Sequence, residues 1–160
     1  MNSLELLRVL ETDPIVRRTH VGVYSRNTLP KKTLTPGCRR VFVVNTDVVG
    51  GKGEHWCCIF IEPNGTGQFF DSFGTPPLHK EFITFLKKNT TKYTFNSTMI
   101  QGFQSQACGL YVAYYIICKC RGQTLRRLMR VFSVYSLYKN DTIVTRMLQK
   151  LRGYKNPCTM

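Results

Sequence analysis

Apolar and polar positions alternate in three distinct ways along the chain. Near the N-terminus, Leu4, Leu6, Leu7 and Leu10 recur at helical spacing behind Asn2, with Glu5 in capping-box position, so a short helix ending near Asp13-Pro14 is predicted. The stretch "TLPKKTLTPGCRR" has two prolines, a glycine and four basic residues, and reads as an exposed connection. "VFVVNT", Val41 to Thr46, is β-branched and apolar enough for a buried strand. After a Gly-rich loop a second strand is expected from about His55 to Ile61, and "EPNGTG" supplies a hairpin turn because Asn-Gly tolerates positive φ. The return strand is expected at Gln68 to Asp71.

Beyond "TPP", Leu78, Phe82, Ile83 and Leu86 follow helical spacing up to Lys87-Lys88-Asn89, and "KYTFN" is a further strand candidate. The run from Cys108 has no clean polar face: Leu110, Val112, Ala113, Ile116 and Ile117 surround the circumference, which predicts a central buried helix. Leu125, Leu128, Met129 and Phe132 form a stripe opposite Arg126, Arg127 and Arg130. A last helix, capped by Asn140 or Asp141, turns Ile143, Val144, Met147, Leu148 and Leu151 inward and leaves Arg146 and Lys150 elsewhere. The order of helix, strands, helix, strand and helices indicates an α+β fold, with one domain over residues 1–160.

Composition is globular, with 42% hydrophobic and 20% charged residues. Charge changes the picture more. The formal net charge is +14, and residues 81–160 carry 13 basic side chains against 2 acidic ones. Such asymmetry favours a polyanionic partner, above all nucleic acid, because Lys and Arg on phosphates release counterions; a merely soluble basic surface is the plainer alternative. The 7 cysteines lack the even spacing of a secreted disulfide scaffold, which points to a reducing compartment. Without CxxC, and with 3 scattered histidines, no metal site is expected. The N-terminus lacks the basic start and apolar core of a signal peptide. The longest charge-free apolar segment, Ala107 to Cys118, has 12 residues against the roughly 20 that span a bilayer, so no membrane partner is expected.

A nucleophilic cysteine needs a base and benefits from a helix N-terminus. Cys108 stands at the predicted start of the buried helix, followed by Gly109, whose missing Cβ permits a substrate backbone to come close. Alone, Cys108 reads as an inert core cysteine. His55, at the mouth of a strand and followed by Trp56, supplies an imidazole, and Asp71 stands across the predicted hairpin to orient it. Acyl transfer also needs an oxyanion donor. Gln101, Gln104 and Gln106 all precede Cys108, and spacing does not choose among them.

"VNTDVVGGKGEHW", "FFDSFG" and "QGFQSQACGLY" occur in the order and at nearly the spacings of the adenovirus protease (adenain) family, which the chain therefore resembles over roughly residues 40–115. The resemblance implies a papain-like, adenain-type cysteine protease fold, in which a central mixed sheet packs on a buried helix that carries the nucleophile at its N-terminus. It implies His55 as base, Cys108 as nucleophile, Asp71 as acid and Gln101 as oxyanion donor, since the family places that glutamine before a Gly, seven residues ahead of the cysteine. Trp56 and Gly109 would line the substrate cleft. Adenovirus enzymes use Glu at the acid position and the related SUMO-deconjugating proteases use Asp.

On this resemblance the function is cleavage after Gly in Gly-containing motifs of virion precursor proteins, in the virion and host nucleus, by a monomer. No cofactor serves the chemistry; DNA and a short viral peptide would act as activators. In the family that peptide joins a cysteine between acid and glutamine, whereas no cysteine lies between Cys58 and Cys108 here, which puts disulfide-linked activation in doubt. DNA contact is expected at Arg126, Arg127 and Arg130, helped by Arg146, Lys150 and Arg152. The alternatives are a deconjugating isopeptidase for a ubiquitin-like modifier and a non-catalytic basic DNA-binding module.

Overall fold

The first helix, α1 (Ser3–Glu11), starts where the leucine pattern places it. Asn2 accepts the Glu5 N–H and the Glu5 carboxylate accepts the Asn2 N–H, closing the expected capping box. In this computed structural model the backbone of residues 1–153 and the side chains to Leu151 are described; Cys158 and the side chain of Arg152 lie outside the described residues.

Five strands form one mixed sheet in the order β1-β2-β3-β4-β5. They are β1 (His20–Ser25), β2 (Arg40–Asn45), β3 (Trp56–Ile61), β4 (Thr66–Phe70) and β5 (Lys92–Phe95). The outer pairs β1/β2 and β4/β5 run parallel, and β2/β3 and β3/β4 run antiparallel. β2 and β3 are apolar at nearly every position because both faces of the sheet are covered, so neither face needs polar alternation. The turn between β3 and β4 closes through the Gly65 N–H to the Glu62 carbonyl, with Gly65 at φ +84°.

Val41, Val43, Trp56, Cys58, Phe60 and Phe70 face α1, the central helix α3 (Cys108–Cys120) and the C-terminal helix α5 (Asn140–Gly153). Phe42, Val44, Cys57, Ile59 and Phe69 face α2 (Lys80–Asn89), which contributes Phe82, Phe85 and Leu86. Cys57 and Cys58 thus serve opposite faces, as strand alternation requires. α3 is buried almost all round, and its tyrosines retain polar partners: Asp141 for Tyr111, the Leu128 carbonyl for Tyr114 and Gln68 for Tyr115. Each large apolar side chain buried this way contributes about 1.5–3 kcal/mol, so the helix that carries Cys108 is firmly held in the fold. The expected arrangement, a mixed sheet packed on a buried helix that begins at Cys108, is the one observed.

Four expectations differ from the structure. β1 has no counterpart in the sequence reading; it is an edge strand, and pairing with β2 makes it a strand. Leu78 lies before α2 and is 70% exposed instead of packing on the core. The arginine-bearing helix α4 (Leu125–Met129) has only 5 residues, so Arg130 is its C-cap and Phe132 packs from beyond it. Asn140 does not cap α5 by its side chain. It is buried, accepts the Ser133 N–H and donates to the carbonyls of Ile100 and Ser133.

Candidate active site

Register builds the site. Cys58 pairs with Phe70 in the β3/β4 ladder, which sets Asp71, one residue past β4, opposite Cys57, two residues beyond His55 on the same face. His55 and Asp71 meet there: Nε2–H donates to Asp71 Oδ1 at 2.7 Å, since an ionised carboxylate only accepts. The same Oδ1 takes the Phe73 N–H at 2.8 Å. Asp71 is held by Asn96, whose amide accepts the Asp71 N–H at 2.9 Å and donates to the Asp71 carbonyl at 2.6 Å. The turn behind it closes through the Gly74 N–H to the Asp71 carbonyl. Gly74, at φ +71°, lies where a Cβ would come within 2.7 Å of the Thr98 carbonyl carbon, so only glycine fits.

Cys108 enters from the other side, in the first turn of α3, where helix N–H groups have no intrahelical partners. It shares the cleft with His55 and Trp56. Burial would raise the Cys108 thiol, but the neighbouring His55 and the nearby backbone N–H groups of Trp56 and Gly109 outweigh it and hold it below its ordinary value of 9.0. Burial would lower His55; Asp71, Cys108 and Cys57 oppose it and push the imidazole up to about 12. The two shifts run in the directions that favour charge on both groups, with Asp71 hydrogen-bonded to the imidazole.

Cys57 adds a buried thiol beside this pair. Desolvation pushes it up to about 12, so it stays protonated and does not compete as a nucleophile. Donor atoms of His55, Cys57 and Asp71 lie within 4.8 Å of one another, close enough for a metal. The hydrogen bond between His55 and Asp71 joins two of these three residues.

Of the three glutamines, Gln101 alone is buried, at 1% exposure; Gln104 and Gln106 face solvent. Its amide is held at both ends. Ser72 Oγ donates to Oε1 at 2.5 Å, and Nε2 donates one hydrogen to the Ser105 carbonyl at 2.9 Å, which leaves its second hydrogen for the cleft. Ser105 is fixed in turn, its hydroxyl donating to Asp141 Oδ1 at 2.9 Å and accepting the Ala107 N–H at 3.1 Å. Sequence reasoning missed Ser72, Asn96, Ser105 and Asp141. The adjacency of Ser72 to Asp71 is the one signal that pointed towards any of them.

His55, Trp56, Gln101 and Cys108 all line a cleft of about 790 Å³, to which Gly50–Gly53, Phe73 and Phe103 also contribute. Trp56 also donates its indole N–H to the Met1 carbonyl at 3.0 Å. Gly109 does not open onto the cleft as expected: it is buried, and a Cβ there would lie 2.8 Å from the Met1 sulfur. Its missing side chain makes room for Met1.

Arg126, Arg127 and Arg130 are exposed, as are Arg146 and Lys150 on α5. Among the described residues none of these five forms an ion pair. Arg152 has no described side chain. No helix of the described residues is long and apolar enough to cross a membrane.

No family model and no curated protein matches the chain. Among solved structures, the ASFV pS273R protease is similar at 24% identity and a TM-score of 0.48 in its selenomethionine form, over 65% of this chain and 43% of that one. A second crystal structure of that protease gives 22% identity and 0.47, over 65% and 42%. The likeness spans less than half the length of the protease it matches.

Proposed function

We propose that this protein is a cysteine endopeptidase that works through Cys108, His55, Asp71 and Gln101. One observation carries the reading: the His55 ring is hydrogen-bonded to Asp71 at 2.7 Å and lines a single cleft with Cys108 and Gln101. The Cys108 thiolate attacks the scissile carbonyl carbon. The oxyanion is held by the free Gln101 amide hydrogen and the Cys108 backbone N–H. The tetrahedral intermediate collapses to a thioester as the C–N bond breaks, and the His55 imidazolium protonates the departing amine. Neutral His55 then takes a proton from water as it attacks the thioester, releasing the acyl product and restoring the Cys108 thiolate beside imidazolium.

The substrate reading rests on the resemblance to adenain: cleavage after Gly in Gly-containing motifs of virion precursors, in the virion and host nucleus, with an activating peptide as a further partner. The exposed arginines of α4 support DNA as an activator, and a catalytic thiolate suits a reducing compartment. Asp rather than Glu at position 71 favours a second reading, deconjugation of a ubiquitin-like modifier. Under that reading modifier-derived probes label Cys108 efficiently, whereas an adenain-like enzyme labels poorly with intact modifiers.

Purified protein and its Cys108→Ala variant are compared on a Gly-Gly-containing peptide, with circular dichroism verifying the fold. Turnover by the parent and none by the variant is expected. A folded variant that cleaves at the parental rate removes the assignment.

A further inference from the structure

Phe103 is the unexplained residue of the cleft. Its ring is 82% exposed, although it sits in the loop between the oxyanion glutamine and the nucleophile, a loop that Ser72, Ser105 and Asp141 hold in place. A large apolar ring on a fixed backbone, facing a cleft, is a surface that awaits a partner. It is not isolated. Phe103 stacks on Phe73 with ring centroids 6.2 Å apart at 19°, and Phe73 lies on His55 with centroids 4.7 Å apart at 32°. Both phenylalanines line the cleft together with Cys108 and Gln101.

Reaction polarity assigns this shelf to one half of the substrate. The acyl half becomes bonded to the Cys108 sulfur, and the leaving amine receives its proton from His55. The chain on the amine side must therefore depart past the imidazole, which is the side that Phe73 and Phe103 extend.

We propose that Phe103, backed by Phe73, is a specificity-determining subsite for a large apolar or aromatic side chain in the first two residues after the scissile bond. Offset stacking on Phe103 and exclusion of water from its face favour Phe, Leu or Met there over small or charged residues. Because the shelf touches only the leaving half, it acts in acylation and has no part in thioester hydrolysis. This inference rests on the endopeptidase reading and adds the class of sequence that the enzyme selects.

Peptides sharing one Gly-Gly-containing acyl half are prepared with Phe-Leu or Ser-Ser after the scissile bond, and kcat/KM is measured for the parent, Phe103→Leu and Phe103→Ser. The parent is expected to favour Phe-Leu by roughly ten- to a hundredfold, Phe103→Leu to retain part of that ratio, and Phe103→Ser to bring it close to one. A parental ratio near one, a ratio unaffected by Phe103→Ser, or an equal loss on both peptides overturns the subsite while leaving the endopeptidase reading standing. Absence of turnover on either peptide by the folded parent overturns the endopeptidase reading, and the subsite with it.

Discussion

Ser72 and Gln101 are joined twice, by the Ser72 hydroxyl on Gln101 Oε1 at 2.5 Å and by the Gln101 backbone N–H on the Ser72 carbonyl at 3.1 Å. Ser72 directly follows Asp71, the acid of the proposed triad, so one buried residue ties the carboxylate to the proposed oxyanion donor. Without the hydroxyl, the amide loses what distinguishes its oxygen end from its nitrogen end. Gln101→Ala is expected to lower kcat by roughly 10²–10³, as for loss of one oxyanion donor, and Ser72→Ala by about tenfold with little change in KM. The double variant is expected to be no slower than Gln101→Ala, because Ser72 acts through that side chain. A Ser72→Ala variant that raises KM and leaves kcat intact contradicts this role.

The proposed triad also implies a pH profile. Cys108 lies below its ordinary 9.0 and His55 is raised to about 12, so the ion pair forms as Cys108 loses its proton on the acid side and persists until His55 deprotonates on the strongly alkaline side. Asp71→Asn removes the charge that raises His55. The alkaline limb of kcat/KM is then expected to move to lower pH, the acid limb to move up, and the plateau to fall by roughly a hundredfold. An unshifted alkaline limb would separate Asp71 from His55.

Asn140 makes a structural prediction. Its side chain satisfies one N–H and two carbonyls in a buried site, so Asn140→Ala leaves three backbone groups without that partner. A loss of about 3 kcal/mol is expected. Thermal melting should show it as a drop of roughly 6–12 °C.

Reversing the charge of Arg126, Arg127 and Arg130 together tests the DNA partner. If these exposed side chains contact phosphates, affinity falls across all sequences, and the slope of log K against log salt decreases in magnitude by about 2.7. Unchanged binding to duplex DNA removes α4 as the contact surface.

Local pattern was enough for much of this. The capping box of α1, the continuous apolar strands β2 and β3, the Asn64-Gly65 turn and the all-round burial of α3 are each written in neighbouring residues, because periodicity and turn chemistry act over a few positions. The approach of His55 to Asp71 was legible for the same reason, since a tight hairpin fixes which strand ends meet.

Tertiary structure decided what depends on partners far apart in the chain. β1 became a strand only through pairing with β2, and the α4 stripe ended after 5 residues because Phe132 reaches the core from beyond the helix. The choice among three glutamines by burial, the clamp of Ser72 and Ser105 on Gln101, the hold of Asn96 on Asp71 and the anchoring of Ser105 by Asp141 span 4 to 36 residues. Polar side chains carry no periodic signature. Which of them meet is set by strand register and helix docking, and so the residues that orient the chemistry stayed hidden until the fold brought them together.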